Sequence, residues 1–145
     1  MRTSPDGIKL IESFESLRLK AYPDPKTGGE PWTIGYGHAH NVSPGDTVTP
    51  AEAEELLQGD LMHAEDVVNK FVLSAVTDNE FSALVSFVFN CGEGNFAKST
   101  LLKLVNAYEF DRAADEFLKW VSPGTSVTAG LTRRRYAERT LFLKG

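Results

Sequence analysis

Apolar residues recur at three- and four-residue intervals over most of this chain and alternate with small or polar ones in one short stretch near its start. Ile8, Ile11 and Phe14, with Leu10 or Leu17, form an apolar stripe at helical spacing. Ser4 before Pro5 supplies an N-cap and a proline at the first helical position, so the pattern predicts a helix over about 5–15. Leu19 to Tyr22 reads as a strand, and Trp32-Thr33-Ile34-Gly35-Tyr36, aromatic and β-branched, as a second. Between them Asp24-Pro25-Lys26-Thr27-Gly28-Gly29-Glu30-Pro31 is turn chemistry throughout. Two such strands predict a small antiparallel sheet. Alternation puts Thr33, Gly35 and Gly37 on one face and Trp32, Ile34, Tyr36 and His38 on the other.

Beyond another turn, Ser43-Pro44-Gly45-Asp46, the helical period takes over. Thr49-Pro50-Ala51-Glu52 has the form of a capping box. It opens a long helix with Leu57, Leu61, Ala64, Val67 or Val68, and Phe71 on one face, long enough to bridge two lobes. Thr77-Asp78-Asn79-Glu80 is a second box. Phe81, Leu84, Val85, Val88 and Phe89, widened by Phe87, predict the most buried helix, ending near Gly92. Shorter helices are expected over Ser99 to Asn106 and Asp111 to Val121, then a loop from Ser122 to Ser126. Leu131 or Thr132 opens a last helix with arginines on its charged side and Ala137, Leu141 and Phe142 on its apolar side. One helix, a small sheet, then helices only is an α+β arrangement.

Length narrows the organisation. The 145 residues make one domain, or one domain split into two lobes. The expected division is a sheet lobe over roughly 16–50, a bridging helix over roughly 50–70, and a helical lobe over roughly 75–145 that includes the N-terminal helix 5–15. A net charge of −5 and a pI near 5.2 argue against a dedicated nucleic-acid binder, though Arg133, Arg134, Arg135 and Arg139 leave room for a local basic patch. Cys91 is the only cysteine, so no intramolecular disulfide forms; it reads as a small buried or half-buried residue near a helix end. Nowhere do eighteen apolar residues run together, and the first residues lack the apolar core of a secretory signal. Neither membrane insertion nor export by this sequence itself is expected.

The candidate chemistry lies between Glu15 and His38. Glu15 falls near a helix C-terminus, where the negative end of the dipole disfavours a further negative charge. Asp24 sits in a turn expected to be wet. Two carboxyl groups in unequal surroundings are what glycoside hydrolysis requires. Thr33 adds a hydroxyl on a strand face otherwise made of glycine. Spacing alone leaves open that these three residues are a solvated surface. Gly35-Tyr36-Gly37 lacks the third glycine and following helix of a dinucleotide motif. His38 and His40 share a strand face without a third ligand in view, so no metal or other cofactor is expected. Trp32 and Trp120 suit either sugar stacking or core packing.

The run from Glu15-Ser16-Leu17-Arg18 through Tyr22 and Asp24 to Trp32-Thr33-Ile34-Gly35-Tyr36-Gly37-His38 closely resembles the phage-type lysozymes, the endolysin family of muramidases. The likeness continues through Thr49-Pro50-Ala51-Glu52, Phe87-Val88-Phe89-Asn90-Cys91-Gly92 and Phe96-Ala97-Lys98-Ser99-Thr100-Leu101. It ends with Trp120 and Gly130-Leu131-Thr132-Arg133-Arg134-Arg135-Tyr136-Ala137-Glu138. The resemblance implies a lysozyme-like two-lobed α+β fold and cleavage of the β-1,4 bond between N-acetylmuramic acid and N-acetylglucosamine in peptidoglycan.

By the same resemblance Glu15 protonates the leaving oxygen, and Asp24 and Thr33 activate and hold a water, with inversion. His38 and Asp60 form a structural pair, Arg134 faces the catalytic glutamate, and Phe89, Asn90 and Thr100 belong to the cleft wall. The implied protein is a monomer that stays in the host cytoplasm until a separate membrane-permeabilising protein admits it to the wall. A lytic transglycosylase and a non-catalytic peptidoglycan-binding module are the alternatives. Ser16 departs from the glycine common after the catalytic glutamate, and a left-handed backbone there would strain it. The turn from Asp24 to Thr33 is longer than in the shortest members, and the chain is acidic where many relatives are basic.

Overall fold

The computed structural model describes residues 1–25, 27–121 and 128–145. The loop expected over Ser122 to Ser126 and Lys26 of the first turn lie outside the described residues. The elements run α1 (Pro5–Phe14), β1 (Arg18–Tyr22), β2 (Thr33–Gly35), α2 (Pro50–Phe71), α3 (Asp78–Cys91), α4 (Glu93–Ala97), α5 (Thr100–Asn106), α6 (Phe110–Glu116), a 3-10 turn (Phe117–Lys119) and α7 (Thr128–Lys144). They form two compact units, one of residues 15–62 and one of residues 1–14 with 63–145. α2 contributes residues to both.

In the unit of residues 15–62, β1 and β2 pair antiparallel, with Arg18 opposite Gly35 and Tyr22 opposite Thr33; the register shifts between these pairs. The sequence pattern missed a third extended segment. Ala21 donates its amide to the Asp46 carbonyl and Val48 donates to Leu19, each at 2.9 Å, so residues 46–48 line the other edge of β1. The second strand is shorter than its alternation suggested. Gly35 takes φ +67° and Gly37 φ +87°, and Ile34 and His38 exchange amide-to-carbonyl bonds at 2.9 Å. The chain therefore reverses over Gly35-Tyr36-Gly37, and Tyr36 and His38 do not continue the β2 face. Glycine is required at 35 for a second reason: a Cβ there would stand 3.3 Å from that of Ala53 in α2. The N-terminal capping device expected for α2 is present. Glu52 accepts from the Thr49 amide at 2.9 Å and Thr49 Oγ1 from the Glu52 amide at 3.1 Å, which completes the capping box of α2.

In the other unit, α3 is the most buried helix, with every residue from Glu80 to Val88 inside. Its Thr77 and Glu80 box is complete, and Gly92 ends it at φ +92°. α3 packs on α1 and α7. Gly7 allows α1 to approach closely, since a Cβ there would lie 2.6 Å from that of Ser82. Ser4 caps α1 through the Gly7 amide at 3.1 Å. Phe87 stands at the centre of an aromatic cluster with Phe96, Phe117 and Trp120, the last edge-on at 5.3 Å, so Trp120 is half-buried packing rather than a free stacking platform. α4 was not expected, and the helix predicted over Asp111 to Val121 divides into α6 and the 3-10 turn.

Of the four arginines that left room for a basic patch, Arg133 is exposed and two are not displayed. Arg134 and Arg135 are buried rather than displayed, and with Ser86 they surround the fully buried Glu138. Ser86 Oγ donates to Glu138 Oε2 at 2.6 Å, Arg135 Nη2 to the same oxygen at 3.2 Å, and Arg135 Nε lies 2.8 Å from Oε1. Arg139 pairs with Asp115 at 3.0 Å. Spacing of i, i+3 and i+4 brings these groups together; burial turns an expected solvated face into an internal ion cluster.

Candidate active site

Glu15, Asp24 and Thr33 all fall in the unit of residues 15–62 and all are half-buried. Glu15 is the first residue after α1. Its Oε1 stands 3.2 Å from where a Cβ on Gly37 would be, so the carboxyl rests against the glycine bend that follows β2. Ser16, next to it, is not among the non-glycine residues with positive φ, which are Asn41 and Tyr108 among the described residues; the substitution of serine at this place carries no left-handed strain.

Asp24 follows β1 by two residues. Its amide donates to the Gly29 carbonyl at 2.9 Å, and its own carbonyl accepts from Gly28 at 2.7 Å and Thr27 at 3.2 Å. Thr27 Oγ1 donates to the Glu30 carbonyl at 2.6 Å and accepts from the Gly29 amide at 3.2 Å. The longer turn is thus closed on itself by its own polar groups, and the chain leaves it through a cis Glu30–Pro31 bond. Thr33 opens β2, opposite Tyr22, with Oγ1 3.4 Å from the Pro31 carbonyl. Strand pairing therefore brings Thr33 to the end of β1 from which the Asp24 turn departs.

His38 Nδ1 meets both oxygens of Asp60 in α2, at 2.9 and 3.0 Å. His40 is exposed. His38 and His40 line a cavity of about 190 Å³ with Asn41, Asp46 and Val48. No group of three or more His, Cys, Asp or Glu side chains suited to a metal occurs among the described residues.

The remaining expected site residues lie in the other unit. Asn90 is exposed and lines a cavity of about 410 Å³ with Cys91, Asn95, Lys119 and Trp120. Thr100 lines a separate cavity of about 340 Å³ with Arg112, Asp115, Glu116 and Lys119. Phe89 is half-buried. Arg134 Nη2 lies 3.3 Å from the Ser86 carbonyl and hydroxyl, and its guanidinium 5.9 Å from the Phe14 ring centre. Cys91 is half-buried as expected, and Arg135 Nη1 donates to its sulfur at 2.7 Å. Burial raises the Cys91 thiol above its usual range despite the opposing pull of Arg135.

Sequence reasoning gave Gly37 only as a bare position on a strand face. Its alternation with Gly35 was the available signal, and a reversal of the chain was the physical fact the alternation concealed.

A small antiparallel sheet with a mainly helical remainder, carrying a Glu, Asp and Thr set on the sheet portion, defines a lysozyme-like α+β protein. A family model described as phage lysozyme matches residues 12–138, and the chain belongs to that family. It is 47% identical over its whole length to the endolysin of Bacillus phage B103, and 39% identical to that of Acyrthosiphon pisum secondary endosymbiont phage 1 over 98% of both sequences. The chain spans about half the length of the Bacillus phage relatives it matches, 55% and 56%. Among solved structures, the muramidase domain of SpmX from Asticaccaulis excentricus superposes with a TM-score of 0.89 at 40% identity, covering 98% of this chain and 97% of that one.

Proposed function

We propose that this chain is an endolysin muramidase that hydrolyses the β-1,4 bond between N-acetylmuramic acid and N-acetylglucosamine of bacterial peptidoglycan. Glu15 gives a proton to the leaving glycosidic oxygen. Asp24 accepts a proton from an attacking water that the Thr33 hydroxyl holds, and the anomeric centre inverts. One observation carries the reading. The three groups belong to one compact unit, with Glu15 against the Gly37 bend and Thr33 paired to the strand that leads into Asp24. Family membership supports it, as do relatives named endolysin and a structural neighbour named muramidase. Phe89, Asn90 and Thr100 as substrate contacts, and Arg134 as a supporting residue, are part of this proposal.

So is the setting. No helix among the described residues is long and apolar enough to cross a membrane. The proposed protein acts as a monomer on the cell wall, reached from the host cytoplasm with the help of a separate permeabilising protein.

The test is digestion of purified peptidoglycan by the wild type and Glu15→Gln, with mass spectrometry of the products. New reducing ends that fall by about 10²- to 10⁴-fold in the variant are the expected result. Products ending in 1,6-anhydro sugars mean a transglycosylase instead, and wall binding without new ends means a binding module.

A further inference from the structure

We propose that Gly37 is a positioning residue for the Glu15 carboxyl, fixing the place of Oε1 by carrying no side chain of its own. This rests on the reading of Glu15 as the general acid. Gly37 takes φ +87°, and it is the only one of the left-handed glycines among the described residues whose added Cβ would meet a side chain with chemistry to perform. At Gly28, Gly45, Gly92 and Gly145 a Cβ would meet nothing within 4 Å, and at Gly35 it would meet Ala53. At Gly37 it would stand 3.2 Å from Glu15 Oε1, close enough that one of the two must give by a few tenths of an ångström. The glycine is fixed in place, since Ile34 and His38 close the bend around it with paired bonds and His38 is held in turn by Asp60. The carboxyl, at the end of a flexible side chain, is what moves. Proton transfer is sensitive to displacements of that order, because donor and acceptor have to meet within hydrogen-bond reach and small misplacements cost rate steeply.

Four variants separate this from an ordinary glycine effect. Gly37→Ala adds the Cβ. Gly37→Asn adds it with a residue that tolerates left-handed backbone, as Asn41 does in this chain at φ +56°. Gly45→Ala, at φ +90° with open space around it, has the same backbone cost and no carboxyl nearby. Glu15→Gln reports on the acid itself. Turnover of soluble peptidoglycan fragments is measured alongside the ¹³C resonance of the Glu15 carboxyl. The expected result is that both Gly37 variants lose about tenfold or more in kcat with KM nearly unchanged, and that the Glu15 resonance moves in both. Gly45→Ala loses thermal stability alone. An unmoved resonance, or a kcat matching that of Gly45→Ala in both Gly37 variants, overturns the positioning role whatever Glu15→Gln does. Near-normal turnover by Glu15→Gln overturns the assignment of the acid instead, and leaves the resonance to decide the packing of Gly37 on Glu15.

Discussion

Asp60 straddles one ring nitrogen of His38 with both carboxylate oxygens, at 2.9 and 3.0 Å, and so fixes Nδ1 as the protonated position. His38 also closes the bend after β2 through its amide and carbonyl. The pair therefore ties the end of the hairpin to α2 inside one unit, and its role is that of a strut. Asp60→Ala is expected to cost about 1–2 kcal/mol, the lower part of the range for a charge-assisted bond because both side chains keep some contact with water. Urea titration measures the loss. Turnover well below the new melting temperature is expected to stay near that of the wild type; its collapse in a folded Asp60→Ala would give the pair a part in the reaction.

The cluster around Glu138 makes stability depend on pH in a direction opposite to most carboxylates. Burial lifts this carboxyl above its usual value, and Arg135, Ser86 and Arg134 pull it down by less. The native chain then keeps the proton to a higher pH than the unfolded chain does. The stability this group contributes is complete below the unfolded value and is lost as pH rises through the native one. Glu138→Gln removes that dependence. Gln is close in shape to the protonated acid, so at acid pH the variant is expected to lie within about 1 kcal/mol of the wild type. Denaturant unfolding of both proteins from acid to neutral pH checks the sign: the wild type is expected to lose stability relative to the variant as pH rises. A wild type that gains on the variant with pH would mean that the arginines outweigh burial.

The sequence made some of this visible and hid the rest for identifiable reasons. The capping boxes at Thr49 and Thr77 were legible because their bonds join residues three apart. The stripe of α3 was legible because every turn of it is buried. The ion cluster was not, since arginines at i and i+1 with a glutamate near i+4 look the same on a wet face and in a core. Only the packing of α7 on α3 decides which it is. The reversal at Gly35 to Gly37 was concealed by alternation that imitates a continuing strand. Glu15, Asp24 and Thr33 stood out through family resemblance; their spacing alone would have fitted a solvated surface equally well.

Thr27 is the residue through which the long turn bears on Asp24. Its hydroxyl donates to the Glu30 carbonyl and accepts from the Gly29 amide, while the Gly29 carbonyl accepts from the amide of Asp24. Thr27 itself is exposed, so each bond is worth only about 0.5–1.5 kcal/mol net, and Thr27→Val changes global stability little. Valine keeps the shape and removes both bonds. The turn then loses the link that holds Gly29, and with it one constraint on where Asp24 points. If Asp24 orients the attacking water, the expected consequence is a fall in kcat of up to about tenfold, with KM and melting temperature nearly constant. Thr27→Ser keeps the hydroxyl and is expected to restore most of the rate. Steady-state kinetics on soluble peptidoglycan fragments decide the matter. Equal turnover in the valine, serine and wild-type proteins would mean that the placement of Asp24 does not depend on this turn.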